Sequence, residues 1–266
     1  MNVKQVVDKI LDACEAPPLD VTCDLLMAGG WNNEVTGIAT TFMATVEVIQ
    51  AAISKGVNLI ITHEPTFFTG WDQTEWLQND EIYHHKLKLI NDHKINIWRF
   101  HDRMHMTKPD KIFEGIDKDL GWQQYGDPKF RHCYTLPATT VIELTDFLKK
   151  ALNVKMARIV GDVNSKVERV GFLGGGGSLG LGREEMPAEL MRDANLDALI
   201  CGDITEWTTC AYVRDAAQLG FNKAMIILGH NRTEEAGMKY LPDWLKILMP
   251  EVPICFIEAG EPFTYL

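Results

Sequence analysis

Short apolar runs alternate with stretches of helical periodicity along most of this chain, and that alternation predicts an α/β protein. The opening MNVKQVVDKILDACEA places charged and apolar residues at helical spacing and predicts a first helix over residues 3–14. A strand-like segment at 36–39 leads into TVEVIQAAISKG, an amphipathic helix closed by Gly56. A strand at 57–62 follows, then a Trp-rich loop (WDQTEW), a polar helix (NDEIYHHKLKLINDH) and the strand NIWRF at 96–100. From about 122 to 165 the pattern softens, and YGDPKF and TLPATT read as turns. TTVIELTDFLKKALN opens on a threonine cap, Thr139 or Thr140, with a glutamate early in its first turn, and predicts a helix. RVGFL, DALIC, KAMIIL and PICFIEA are the later strands, with a helix expected over 207–219.

Several apolar runs share an ending. Each gives way to a polar cluster, at His63, His101, Asp203 and His230, and Pro65 blocks any continuation of the first strand. Ligands of open α/β sheets bind outside the carboxyl ends of the strands, so these tips are expected to converge. His63 with Glu64, His101 with Asp102 and His105, and His230 with Glu234 offer imidazoles and carboxylates but no thiolate. That mixture suits Zn, Mn, Fe or Mg. His230 and Glu234 stand four apart where a strand passes into a helix, so both can face one point. His63 and Glu64 cannot share a face in a regular strand, but in the turn forced by Pro65 they can reach two ions, one each. Two ions about 3.5–4 Å apart with a bridging carboxylate form a hydrolytic centre. The competing reading of each strand-end histidine is a hydrogen-bonded structural residue.

The remaining candidates carry less. His84, His85, His93 and His132 fall on polar helix faces or in loops. Gly174 to Gly177 lack the P-loop lysine and read either as a tight turn, where backbone approaches backbone, or as a substrate-facing loop. Ser178 lacks the nucleophile elbow. Trp71, Trp76, Trp98 and Trp207 read as packing or subunit-contact residues.

Composition narrows the partners. The chain has 266 residues, 46% hydrophobic and 24% charged, with a net charge of −11. That is an ordinary globular composition, and its sign argues against nucleic acid or an anionic membrane surface. Neither a signal-peptide core nor an apolar run of transmembrane length is present. The six cysteines are scattered without a CxxC pair. They are expected as reduced thiols of a cytoplasmic protein.

Five separated motifs together resemble the Nif-three-like family, whose members carry the name type 2 GTP cyclohydrolase I. The family's T-H-H-P motif with a following aromatic stands as Thr62-His63-Glu64-Pro65 with Phe67 and Phe68. Its second strand, ending in His with an Asp four residues later, stands as His101 with His105. Its G-G-G turn, G-D-x-x-E segment and late G-H-x-x-T-E stand as Gly174-Gly175-Gly176, Gly202-Asp203 with Glu206, and Gly229-His230 with Thr233-Glu234.

The resemblance implies a two-lobed α/β fold with mixed sheets flanked by helices. The lobes are 1–130 and 131–266, and together they form one metal site. It further implies a homo-hexamer with two divalent ions (Zn, Mn or Fe) per subunit. The ligands carried over are His63, Glu64, His230 and Glu234, with Glu234 as the bridge. Register favours His105 at the second strand, with Asp102 and His101 as competitors. The expected activity is metal-dependent hydrolysis of a small molecule, a nucleotide or another phosphorylated or cyclic amide compound, with Glu206 or Asp102 as general base. The rival expectation is a non-catalytic metal-binding scaffold, regulatory or chaperone-like.

Overall fold

The structure is a computed structural model and describes residues 1–266. In chain order it holds α1 (Val3–Ala13), β1 (Leu26–Ala28), β2 (Ile38–Thr41), α2 (Val46–Ser54), β3 (Leu59–Thr62), α3 (Glu81–Asp92) and β4 (Asn96–Arg99). Then come α4 (Asp102–Met106), α5 (Lys111–Leu120), β5 (Cys133–Thr140), α6 (Val141–Ala151), β6 (Arg158–Val160) and β7 (Lys166–Leu173). The chain closes with α7 (Met186–Asp193), β8 (Ala198–Cys201), α8 (Ala211–Gln218), β9 (Ala224–Ile227), α9 (Glu235–Leu248) and β10 (Ile254–Phe256). It divides into two compact units, Met1–Gly115 with Gly237–Gly260, and Ile116–Ala236 with Glu261–Leu266.

The first unit is built on a mixed sheet in the order β1-β4-β3-β2-β10, in which only β1 runs antiparallel to its neighbour. β2, β3 and β4 are buried at every position, as expected of parallel strands covered on both faces. On one face Leu59, Ile61, Trp98 and Phe100 pack with Val3, Val6 and Ile10 of α1 and Met238, Leu241 and Leu245 of α9. On the other, Ala39, Ile60 and Ile97 pack with Val48, Ile49 and Ala52 of α2 and Ile90 of α3. Trp98 is fully buried and stacks on Phe100 at 5.0 Å between ring centroids, so it is a packing residue. Trp71 and Trp76 are exposed.

The second unit carries the sheet β5-β7-β8-β9-β6, parallel in its centre and antiparallel at both edges. Leu199 and Cys201 of β8 and Met225 and Ile227 of β9 pack with Met191 of α7 and Val213 of α8. The helix expected after DALIC is regular only from Ala211. Residues Glu206–Cys210 form a wide irregular turn in which Thr208 leaves helical geometry (φ −102°, ψ −107°). Trp207 in that turn is exposed.

TLPATT, expected as a turn, lies instead inside β5. β5 is an edge strand, and its register with β7 shifts between Thr135 and Thr139, across Pro137. An edge irregularity is where a sheet tolerates a residue without an N–H. The helix that follows matches its expected start: Thr140 and Glu143 form a reciprocal capping box. All six cysteines are free thiols. No helix is long and apolar enough to cross a membrane.

Candidate metal centre

The two histidine tips of the first unit are neighbours because their strands are. β3 and β4 run parallel with Thr62 opposite Arg99, so the chain leaves both strands at one edge of the sheet. The turn after β3 is pinned to the end of β2, with the His63 and Glu64 amides donating to Phe42 O at 3.0 and 2.8 Å. After β4 the chain bends straight into α4. Asp24 accepts the amides of His101, Asp102 and Arg103 at 2.6, 2.8 and 2.9 Å, seating that helix's first turn. His101 and His105 therefore lie one helical turn apart on the same face.

Three imidazoles meet there. His63 stacks on His101 with ring centroids 4.5 Å apart, and His105 lies 5.1 Å from each of the other two. One ligand nitrogen from each falls within 4.8 Å of the other two. His63 is fully buried. Its pKa lies well below the usual histidine value, first through burial and then through the nearby His101 and His105. Two imidazolium charges 5 Å apart would repel by about 3 kcal/mol at an effective dielectric of about 20. His63 is thus held neutral, the state that binds metal.

The tautomers are set from behind. His63 Nδ1 lies 3.3 Å from Phe100 O, an acceptor only, so the proton sits on Nδ1 and the lone pair on Nε2. His101 Nδ1 donates to Asp102 Oδ1 at 3.0 Å, and His105 Nδ1 donates to Asp110 Oδ2 at 3.0 Å. Anchoring Nδ1 on a carbonyl or carboxylate while Nε2 keeps its lone pair is the arrangement of metal-binding histidines.

Asp102 is an orienting group in this geometry. Besides His101 it accepts from Thr22 Oγ1 (2.8 Å), Cys23 N (3.0 Å) and Cys23 Sγ (3.4 Å). The hydrogen bond from His101 holds its carboxyl far below the ordinary range, against the effect of burial. Cys23, His101 and Asp102 also lie close enough to hold an ion. Burial pushes the Cys23 thiol up to about 12, and in this geometry it donates to Asp102 Oδ1. Glu64 places Oε1 3.7 Å from His101 Nε2 and Oε2 3.3 Å from Arg99 Nη2.

The second unit repeats the plan. β8 and β9 are parallel neighbours with Cys201 opposite Ile227, which brings Asp203 and His230 side by side. His230 Nδ1 lies 2.7 Å from Asp203 Oδ2, and its Nε2 lies 3.0 Å from Glu234 Oε2. A neutral imidazole has one N–H and cannot donate to two carboxylates. The second contact requires another proton or a metal ion.

The glycine run is shaped by Glu234. Gly175 has φ +51°, and a Cβ there would lie 2.0 Å from Glu234 Oε1. Its amide donates to Thr233 Oγ1 at 2.9 Å, tying the run to the turn that carries His230 and Glu234. Of the two readings of this segment, the tight turn describes it, with Gly202 also packed against Gly175 backbone. Glu206 sits exposed in the irregular turn after β8, and Asp203 of the same segment is the residue that engages His230. Asp24, Arg99, Asp110 and Asp203 were not assigned roles from the sequence. Asp203 alone had a signal there, as the acid directly following Gly202 at a strand tip.

Residues 1–262 match the family model described as Duf34/NIF3 (NGG1p interacting factor 3). The chain belongs to this family. A Clostridium perfringens relative named "GTP cyclohydrolase 1 type 2 homolog" is 25% identical over 253 residues, covering 91% of this chain and 90% of its own. A relative of the same name from Clostridium acetobutylicum is 27% identical over 220 residues, covering 79% and 76%. Among solved structures, a Bacillus cereus protein related to NIF3 superposes with a TM-score of 0.77 at 16% identity, covering 100% of this chain and 99% of that one. Reduced HcgD from Methanocaldococcus jannaschii gives a TM-score of 0.61 at 17% identity, covering 96% and 97%. These structures share the fold with this Duf34/NIF3 chain.

Proposed function

We propose that this Duf34/NIF3 protein is a metal-dependent hydrolase that binds two divalent ions. His63, Glu64, His101 and His105 of the first unit and His230 and Glu234 of the second are the proposed ligands. The observation that carries the reading is the repeated anchoring of histidine Nδ1: to Phe100 O, Asp102, Asp110 and Asp203 in turn. Four rings held alike from behind are four Nε2 atoms prepared for a cation. The donor set is nitrogen and oxygen, suited to Zn, Mn or Fe.

When bound, such ions would polarise a substrate oxygen and would lower the pKa of a water molecule beside it. The chain's own residues keep His63 neutral, hold each imidazole in one tautomer and seat the carboxylates. Of the two carboxylates expected as general base, Asp102 is committed to four donors, which leaves the exposed Glu206 as the proposed base. The proposed substrate is a small nucleotide or another phosphorylated or cyclic amide compound, in keeping with the relatives' name. The proposed assembly is a homo-hexamer in the cytoplasm.

The test is metal analysis of the purified protein with a hydrolysis screen over nucleotides and phosphoesters, using Glu234→Ala as control. Two ions per chain and turnover lost in the variant are expected. Tight metal without turnover in either protein overturns the hydrolase and leaves a metal-binding scaffold. Light scattering that shows a stable monomer overturns the hexamer.

A further inference from the structure

Arg99 ends β4 and is 4% exposed. A buried arginine at a strand tip needs its donors used, and all three of its donor groups go to one short stretch. Nε donates to His63 O at 3.1 Å, Nη1 to Gly70 O at 2.5 Å and Nη2 to Glu64 Oε2 at 3.3 Å. The guanidinium thus grips the turn after β3 at its start, at its carboxylate and at its far end. The Arg99–Glu64 ion pair is largely shielded from solvent, with side-chain exposures of 5% and 14%. Its other oxygen, Oε1, is the one turned to the imidazoles, 3.7 Å from His101 Nε2.

We propose that Arg99 is a positioning residue of the metal centre that acts through Glu64. By holding Oε2 it fixes where Oε1 is presented to the ion, while its bonds to the His63 and Gly70 carbonyls hold the guanidinium itself in place. The inference rests on the metal-binding reading above. A carboxylate on a flexible two-carbon stem needs such a brace to act as a ligand of set direction, whereas an imidazole at the same position would find a cation facing it. Glu64 and Arg99 therefore belong together as one device, with the planar fork of arginine as its necessary half.

A buried arginine that only satisfied two carbonyls would support the fold without acting on the metal. The two roles separate in a double-mutant cycle read on metal binding. The full chain, wild type, Arg99→Lys, Arg99→Gln, Glu64→Gln and the double variants, is stripped of metal. Zn affinity is then measured by chelator competition, and Co is used for its visible spectrum. Arg99→Lys is expected to weaken Zn binding by about 10- to 100-fold, the usual effect of removing a supporting group, and Glu64→Gln, which removes a proposed ligand, by at least as much. Each is also expected to shift the Co bands, and the double variant should lose no more than the worse single one. Wild-type affinity and spectrum in Arg99→Lys, or the same loss with and without Glu64, overturns the proposal. Arg99→Gln reads the same cycle where the lysine variant does not fold. Wild type that binds neither ion overturns the metal reading, and this one with it.

Discussion

Glu234 occupies the place that a side chain on residue 175 would need. A Cβ at Gly175 would lie 2.0 Å from Glu234 Oε1 and 2.5 Å from Cδ, while one at the adjacent Gly176 would meet nothing within 4 Å. Gly175→Ala is therefore expected to cost at least about 2 kcal/mol, from the left-handed backbone and the displaced carboxylate, lowering Tm by several degrees. Gly176→Ala should stay within about 0.5 kcal/mol of wild type. Calorimetry on the two variants checks the pair, and equal melting temperatures would remove the role given to Gly175.

Asp110 serves His105 with one oxygen and the start of α5 with the other, Oδ2 to Nδ1 at 3.0 Å and Oδ1 to Ile112 N at 2.9 Å. Asp110→Asn preserves an acceptor for the helix and weakens the hold on the imidazole. Metal retention should fall by about 10- to 100-fold with stability changed by about 1 kcal/mol or less. Asp203→Asn should do the same to His230. Chelator competition against urea unfolding separates the two effects. A loss of stability with intact metal affinity would make these acids structural.

Lys86 is buried, with Nζ donating to Thr66 O at 2.6 Å and lying 5.7 and 5.3 Å from the Phe67 and Phe68 rings. Burial brings its ammonium down from 10.5 to about 8, the charge of Asp72 opposing. Between pH 8 and 10.5 the unfolded chain binds the extra proton, so this group's contribution to stability rises with pH across that window. Lys86→Met removes the burden, and relative to wild type it should be favoured by about 1–3 kcal/mol more at pH 7 than at pH 10.5. Urea unfolding at both pH values measures the difference, and a constant gap between the two proteins contradicts it.

His63 acts in the acid range. Its folded pKa is depressed, so its stability contribution is complete above about 6.5 and is lost as pH falls below that value toward the folded pKa. Metal-free protein should begin to lose stability below about pH 6.5, and added Zn should move that limb to lower pH. His63→Gln should flatten it between about pH 6.5 and 5. An unchanged acid limb in the variant would place the titration elsewhere.

The central strands were legible because parallel strands covered on both faces are written as short, mostly apolar runs: LIIT, ALIC, AMII and, with a polar residue at each end, NIWR. The α6 start was legible because a capping box is local. β1 and β6 are three-residue strands, too short for a period to show. Nor does any local pattern tell a terminal strand such as β10 that it will pair with β2. At the site, the histidine tips showed as breaks in apolar runs. Most of their braces did not, since Arg99 reaches 36 residues back to His63 and Asp24 reaches 77 forward to His101. Such contacts are made by the fold and leave no spacing to find.

Asp24 seats the first turn of α4, and Asp102 in that turn seats Thr22 and Cys23 in return. Each segment is braced by the other, as with two stones of an arch. Anyone grafting the three imidazoles onto another scaffold has to bring residues 22–24 along with them. A transplant of the histidines alone would carry the donors and leave behind what aims them.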